Sequence, residues 1–422
     1  MQGRVQPPES DGGSKFDAVR SSSKGQYSKL DRVEAELIRA RWSIREAARS
    51  NQSMRSDSDY VPQGAIYWNA NAFHRSYVEM EELFKIYKEI NQSFSVVLAR
   101  AYTQAREGSF TKWRLDNQYK TTDPEKAHAC FLPFSVVMMV QYLYVPGSHE
   151  CNAVGRVVLD YINVISTKYP YWNRSLGADY LMLSCHDWAS TKPSTYLYDV
   201  ILLRGPCASS YSPELFNRSI RVLCNANTSG GFNPSKDESL PEIHLRKGET
   251  TGLIGVPLRL TGQSWHSSQG VFMAISDTCF WSIGRARMLM CDLPEGESSY
   301  ERMLRKSRFC LCPSGYEVAS PRVVEAIYAE SVPVLISDNY VPPFSDVLNW
   351  ESFSVQVARR DIPNIKTILT SICPTQYIRM QRRVKKVQRH FVANGPPKRF
   401  DVFHMTIHTI WFRRLNLRTS AR

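Results

Sequence analysis

Five residues with complementary chemistry stand close together near the C-terminus: Ser314, Gly315, Ser320, Arg322 and Glu325. An arginine can take a diphosphate, and a carboxylate can accept hydrogen bonds from ribose hydroxyls. That set of side chains fits a nucleotide-sugar pocket. The flanking pattern supplies the elements that must position it. A short apolar run at Phe309 and Leu311 stops at Pro313-Ser314-Gly315; a helical pattern follows through Val323, Val324, Ala326 and Ile327, and a buried-strand run follows at Val332 to Ile336. Strand, turn, helix and strand in that order predict a βαβ unit of a parallel sheet. Ligands of such sheets sit at the carboxyl ends of the strands, where a helix N-terminus offers free N–H groups to phosphate. Glu325 falls one turn into the helix, on the Arg322 side.

The stretch from Phe309 to Trp350 resembles the plant exostosin-like glycosyltransferases, glycosyltransferase family 47. Further matching blocks are Asp123 to Pro146, Tyr169 to Trp188, Ile220 to Leu245 and Phe400 to Leu415, in family order over most of the chain. The resemblance implies an α/β fold of GT-B type, with two Rossmann-like parallel-sheet domains and a cleft between them. It also implies a nucleoside-diphosphate sugar as donor, inversion at the transferred sugar, and a cell-wall polysaccharide or glycan acceptor in the Golgi. No cofactor is implied beyond that donor.

Inverting transfer needs a base for the acceptor hydroxyl and positive charge for the leaving diphosphate. Arg322 and the helix it opens are the candidates for the charge. His186 and Asp187 follow the apolar run Leu181 to Ser184 and are candidates for the base, since a histidine can work near neutral pH. They could equally form a structural corner beside Trp188. Glu317 and Asp338 lie near the same strand ends as reserves. No metal is assigned: the chain lacks an Asp-x-Asp pair where a divalent-dependent transferase would want one. His404 and His408 have i, i+4 spacing without the glutamate of a zinc motif and are expected to pack.

A chain of 422 residues with 43% hydrophobic content can bury two domain-sized cores. The net charge of +13 calls for an anionic partner. Nucleic acid is set aside because no finger, RRM or KH signature is present; nucleotide diphosphates and acidic glycans satisfy the same charge. The basic run Arg379 to His390 reads as a solvated helix face or as a contact for acidic glycan or lipid headgroups. The ten cysteines show no metal spacing. Cys310 and Cys312 are expected inside a strand, and a pair among Cys130, Cys151, Cys185, Cys207 and Cys224 could be oxidised in a secretory lumen. Glycosylation tripeptides begin at Asn51, Asn91, Asn173, Asn217 and Asn227. No apolar run is long enough to span a bilayer. The Golgi membrane anchor that the resemblance implies is therefore expected to be missing from, or truncated in, this sequence.

The expected organisation is a disordered segment over 1–29, then a stem helix and linker over 30–64. An N-terminal, acceptor-side domain follows over 65–253, a nucleotide-sugar domain over 254–399, and a C-terminal helix and tail over 400–422. Leu30, Val33, Leu37, Ile44 and Ala48 share one helical face. That face suits either a stem that pairs helices into an oligomer or a helix packed on its own domain. The 400–417 helix is expected to pack back across the domain junction.

Three segments break the resemblance. Between Asn91 and Leu115, and between Leu258 and Met290, it vanishes and then returns. Thr261 to Ser276 is polar and aperiodic where a strand and phosphate loop are expected. Codons permitted for Trp265 to Gly284, read from the last base of the preceding codon, can encode LAFFAGGVHGHIRYLFLEHW, which is similar to the family's strand, Gly-Gly loop and helix. The same displacement of Val96 to Leu115 can encode CCPCKSIYSSEGRFIHEMEI, similar to the family's N-terminal motif. Both segments therefore read as displaced frames. Ala189 to Arg204 separates His186-Asp187-Trp188 from Gly205-Pro206 and reads as retained intron or as a loop insertion. A non-catalytic family member, or a defective gene-model product with a damaged donor loop, is the alternative to an active enzyme.

Overall fold

The computed structural model describes residues 29–50, 62, 64–87, 117–133, 136–143, 152–184, 212–243, 304, 307–314 and 318–417. The segments 96–115, 189–204 and 265–284 lie outside the described residues, as do His186, Asp187, Gly315 and Glu317.

Strands and helices alternate through the first half. Helix α1 spans Lys29–Arg49 and α2 spans Ala70–Leu83; the strands β1 (Ile86–Tyr87), β2 (Lys120–Thr121) and β3 (Ala129–Phe131) follow. Then come α3 (Val136–Leu143), α4 (Asn152–Lys168), α5 (Pro170–Ser175), β4 (Tyr180–Ser184), α6 (Pro213–Asn217), β5 (Ile220–Leu223) and β6 (Glu238–Ser239). These six strands form one sheet in the order β2-β1-β3-β4-β5-β6, and each pairing is parallel. The second half holds β7 (Phe309–Pro313), α7 (Pro321–Tyr328), β8 (Val332–Ile336), β9 (Val355–Val357), α8 (Ile365–Thr370), α9 (Pro374–Val387) and α10 (Val402–Asn416). Its three strands are parallel in the order β7-β8-β9. The α/β expectation with parallel sheets holds, and the βαβ unit at 309–336 forms where the apolar pattern placed it.

Strands covered on both faces need apolar side chains pointing both ways. β5, β7 and β8 are buried along their whole lengths. In β4 the two faces serve different clusters: Leu181 and Leu183 join the large core, while Tyr180 and Met182 join a smaller one with Val158, Ile162 and Trp172. A proline inside a central strand would remove a ladder bond. Pro333 avoids this because β9 begins pairing with β8 only at Val334.

Helix α10 is buried on every side, from Val402 to Leu415. Such a helix must satisfy its own polar groups internally. Asp401 caps it by accepting from the His404 N–H at 3.1 Å. Thr406 donates to the Val402 carbonyl, and Arg414 donates to the His128 carbonyl at 2.7 Å. His408 bonds Ser76 of α2, so it packs as expected, and His404 lies against Asp401. The expected return of this helix to the first half of the chain is seen in these contacts.

Helix α1 buries Val33, Leu37, Ala40 and Ile44 against the same core. Glu34 pairs with Arg414, and Arg75 of α2 pairs with Glu79 and donates to Ser43. The packed-helix reading is the one realised. Val33, Leu37 and Ile44, on the face that an oligomerising stem would use, are covered within the chain. Among the described residues no helix is long and apolar enough to cross a membrane.

Candidate functional site

The two sheets are tied together at the carboxyl ends of their strands. The loop after β5 runs beside the loop after β8: the Val341 N–H donates to the Ala226 carbonyl at 3.1 Å, and the Thr228 N–H donates to the Asn339 carbonyl at 3.0 Å. Asn227 and Tyr340 form an antiparallel bridge there. Asn225 accepts from the Val318 N–H at 3.3 Å, which draws the segment after β7 to the same seam. Tyr340 lies against this seam; burial, with Glu242 nearby, pushes its phenol well above its ordinary value.

The second sheet builds its side of the edge from consecutive strand ends. Ser314 follows β7 and is buried; its N–H and its hydroxyl both donate to the Ile336 carbonyl, at 3.0 and 3.1 Å. Asp338 follows β8 and is exposed; its carboxylate accepts the Arg359 N–H at 3.0 Å. Arg359 follows β9, and its guanidinium donates to the Ser314 hydroxyl at 3.1 Å.

Helix α7 starts on this edge. Ser320 is its extended N-cap and makes no side-chain capping bond, and Pro321 occupies the first turn, where its missing N–H is harmless. The N-terminal amides of the helix carry partial positive charge. Arg322 is half-buried in that turn and makes no side-chain hydrogen bond or ion pair among the described residues. Its charge reaches Cys312, where it opposes the burial that drives the thiol well above its usual range. Glu325 is half-buried one turn on. The apolar face of α7, from Val323 to Tyr328, packs on the sheet and fixes the direction in which Arg322 leaves the helix. The turn that ends the helix puts Glu330 in the left-handed region, φ 56°, where Gln381 and Lys385 hold its carboxylate.

The structure thus brings together Ser314, Ser320, Arg322 and Glu325 within one βαβ unit. Arg359, Asn225 and Glu242 were absent from the sequence expectation. Arg359 could have been found by extending the strand-end rule to the second residue after Val355–Val357. Asn225 carried no local signal, because its partner is Val318, distant in sequence.

Comparison with known proteins adds the following. The Exostosin GT47 domain family matches residues 31–372. Probable glycosyltransferase At5g03795 of Arabidopsis thaliana is 49% identical over 405 residues, which cover 93% of this chain and 73% of that protein. Probable beta-1,4-xylosyltransferase IRX10L, also of Arabidopsis thaliana, is 27% identical over 311 residues, 72% of this chain and 74% of its own. Probable glucuronosyltransferase Os01g0926700 of Oryza sativa subsp. japonica is 27% identical over 306 residues, 70% and 72% of the two chains.

Proposed function

This chain belongs to the exostosin GT47 family and is a glycosyltransferase; from that premise we propose that it transfers a sugar, with inversion, from a nucleoside-diphosphate sugar to a glycan acceptor. The observation that carries the donor assignment is Arg322, which has no anionic partner among the described residues. It stands in the first turn of α7 at the carboxyl edge of β7 and β8. There the guanidinium and the helix amides meet the diphosphate, Glu325 accepts from the ribose, and Ser314 and Ser320 flank the turn, with Gly315 kept as a donor-loop candidate from its place in the sequence. The acceptor belongs on the first sheet, across a cleft at the seam between the two sets of strand ends.

In the reaction, a base takes the proton of the acceptor hydroxyl while its oxygen attacks the anomeric carbon from the face opposite the diphosphate. The anomeric C–O bond breaks and the diphosphate leaves with the electron pair. Arg322 and the α7 amides stabilise that developing charge. His186 or Asp187 is proposed as the base, since both follow directly from the carboxyl end of β4. The xylosyltransferase and glucuronosyltransferase among the relatives favour a pentose or uronic-acid donor, and a cell-wall polysaccharide is proposed as the acceptor. A lumenal Golgi location is proposed, and the disulfide at Cys224 supports an oxidising compartment.

The test pairs binding with turnover. Release of nucleoside diphosphate from a panel of nucleotide sugars identifies the donor. Arg322→Ala should weaken nucleoside-diphosphate binding by roughly 1.5–3 kcal/mol, the range for a hydrogen bond to a charged group. Unchanged affinity in calorimetry with the fold intact would sink the assignment.

A further inference from the structure

The hydrogen bonds at Ser314 leave it with nothing to donate. Its backbone N–H and its single hydroxyl proton both go to the Ile336 carbonyl. An oxygen of an incoming phosphate is an acceptor and needs a donor. Ser314 can still accept, and it does so from the guanidinium of Arg359 at 3.1 Å. Arg359 is held a second time, through its backbone N–H on the Asp338 carboxylate at 3.0 Å.

A guanidinium has five N–H donors. Among the described residues Arg359 gives one of them to a neutral hydroxyl and forms no ion pair, while its side chain stays exposed. The register sets its place. Pro313, Ile336 and Val357 lie in one row across β7, β8 and β9, so Ser314, Asp338 and Arg359 all follow that row on the carboxyl edge. Arg322 opens α7 on this same edge, between β7 and β8. Two guanidinium groups therefore serve one edge of a three-stranded parallel sheet, and one of them is oriented by a buried serine. A planar fork with spare donors suits a diphosphate, whose oxygens can be taken by two cations at once.

We propose that Arg359 is a second ligand of the donor diphosphate beside Arg322, and that Ser314 is the residue that positions it rather than a ligand itself. This rests on the nucleotide-sugar reading above and adds a residue to it. Asp338 restrains the arrangement: its carboxylate would repel phosphate, but the Arg359 amide fixes it at the base of the loop.

The test titrates uridine diphosphate, and separately guanosine diphosphate, into the full 422-residue chain and its variants. Circular dichroism and thermal melting serve as fold controls. Arg359→Ala should raise Kd about ten- to hundredfold, as loss of a charged hydrogen-bond donor does, and should flatten the dependence of Kd on salt. Ser314→Ala should raise Kd by a smaller factor. The double variant should bind no more weakly than Arg359→Ala, because the serine acts through the arginine. Additive losses would overturn the positioning role. If Arg359→Ala binds like the parent while Arg322→Ala is weakened, Arg359 is not a ligand and the nucleotide-sugar reading stands. If neither substitution matters, or the parent binds neither nucleotide, both fall.

Discussion

Arg221 shows at the residue scale how a charge is kept inside this fold. It lies in the middle of β5 with no exposed surface. Asp237 takes two of its donors, the Gly231 carbonyl accepts a third at 2.7 Å, and the Phe216 ring lies 4.3 Å from its guanidinium carbon. Lys236 also donates to Asp237 and to the Ser219 carbonyl, and burial brings its ammonium down to about 8. This cluster folds the 224–237 segment against β5, and that segment carries Asn225 and Asn227 to the seam. Removing one partner of a buried pair leaves the other charge unsolvated, at a cost of ~3–5 kcal/mol. Asp237→Ala should lower stability by that amount in urea unfolding and weaken donor binding indirectly. A change below about 1 kcal/mol would mean that water reaches Arg221 and replaces the carboxylate.

At the element scale, helices α1 and α10 are structural members of the core. Leu37 is fully buried in the large cluster. Leu37→Ala should destabilise the protein by ~2–5 kcal/mol, the range for a leucine cavity; an exposed stem helix would tolerate the change within about 0.5 kcal/mol. Arg413 of α10 joins two elements by pairing with Glu238 of β6 at 3.1 Å and with Asp346. Burial pushes Glu238 up to about 8 and raises Asp346 as well, against the pull of Arg413. One guanidinium balances one carboxylate, so the second is held protonated. The folded chain therefore keeps a proton that the unfolded chain releases between roughly pH 4.5 and 8. That contribution is fully present below this window and is lost as pH rises through it. The buried histidines act in the opposite sense. Burial lowers His128 and His408 to about 3 and His390 to about 4. Their contribution is present above about pH 6.5 and is lost as pH falls through the folded values. The Glu238 share is isolated by comparison with Glu238→Gln, which should flatten the fall in urea midpoint between pH 5 and 8 and leave the acid limb in place. Parallel curves for the two proteins would exclude a shared proton at this junction.

For the whole molecule, the question is how much of the family's core this chain retains. Gln104, Arg106, Gln263, Ser267, Ser268 and Gln269 stand where the resemblance calls for apolar or glycine residues. We propose that both surrounding segments are frame-displaced and that Ala189 to Arg204 is inserted. Native stability is only ~5–15 kcal/mol, and each buried unsatisfied group costs ~1–3 kcal/mol. A chain with both frames restored and Ala189 to Arg204 deleted should then give a higher soluble yield and tighter nucleoside-diphosphate binding. Equal yield and equal binding by the two chains would show the displaced-frame account to be wrong.

The βαβ unit was legible in the sequence because its pattern is local: short continuous apolar runs in β7 and β8, helical spacing in α7, and proline at the first turn between them. The same holds for the burial of Cys310 and Cys312, the helix over 402–416 and the amphipathic face of α1. Which partner that face meets was not legible, since stem and core helices share one pattern and differ only in what covers them. Asn225 was invisible for a related reason, and the strand-end rule could give the position of Arg359 but not its partner. Each matters through a residue far along the chain: strand register within one sheet brings Arg359 to Ser314, and the seam between the two sheets brings Asn225 to Val318. The sequence by itself determined which residues could hold a diphosphate. Only the tertiary structure decided that Ser314 has already spent its donors and that a second arginine follows the same row of strand ends, because hydrogen-bond capacity is a property of the folded neighbourhood.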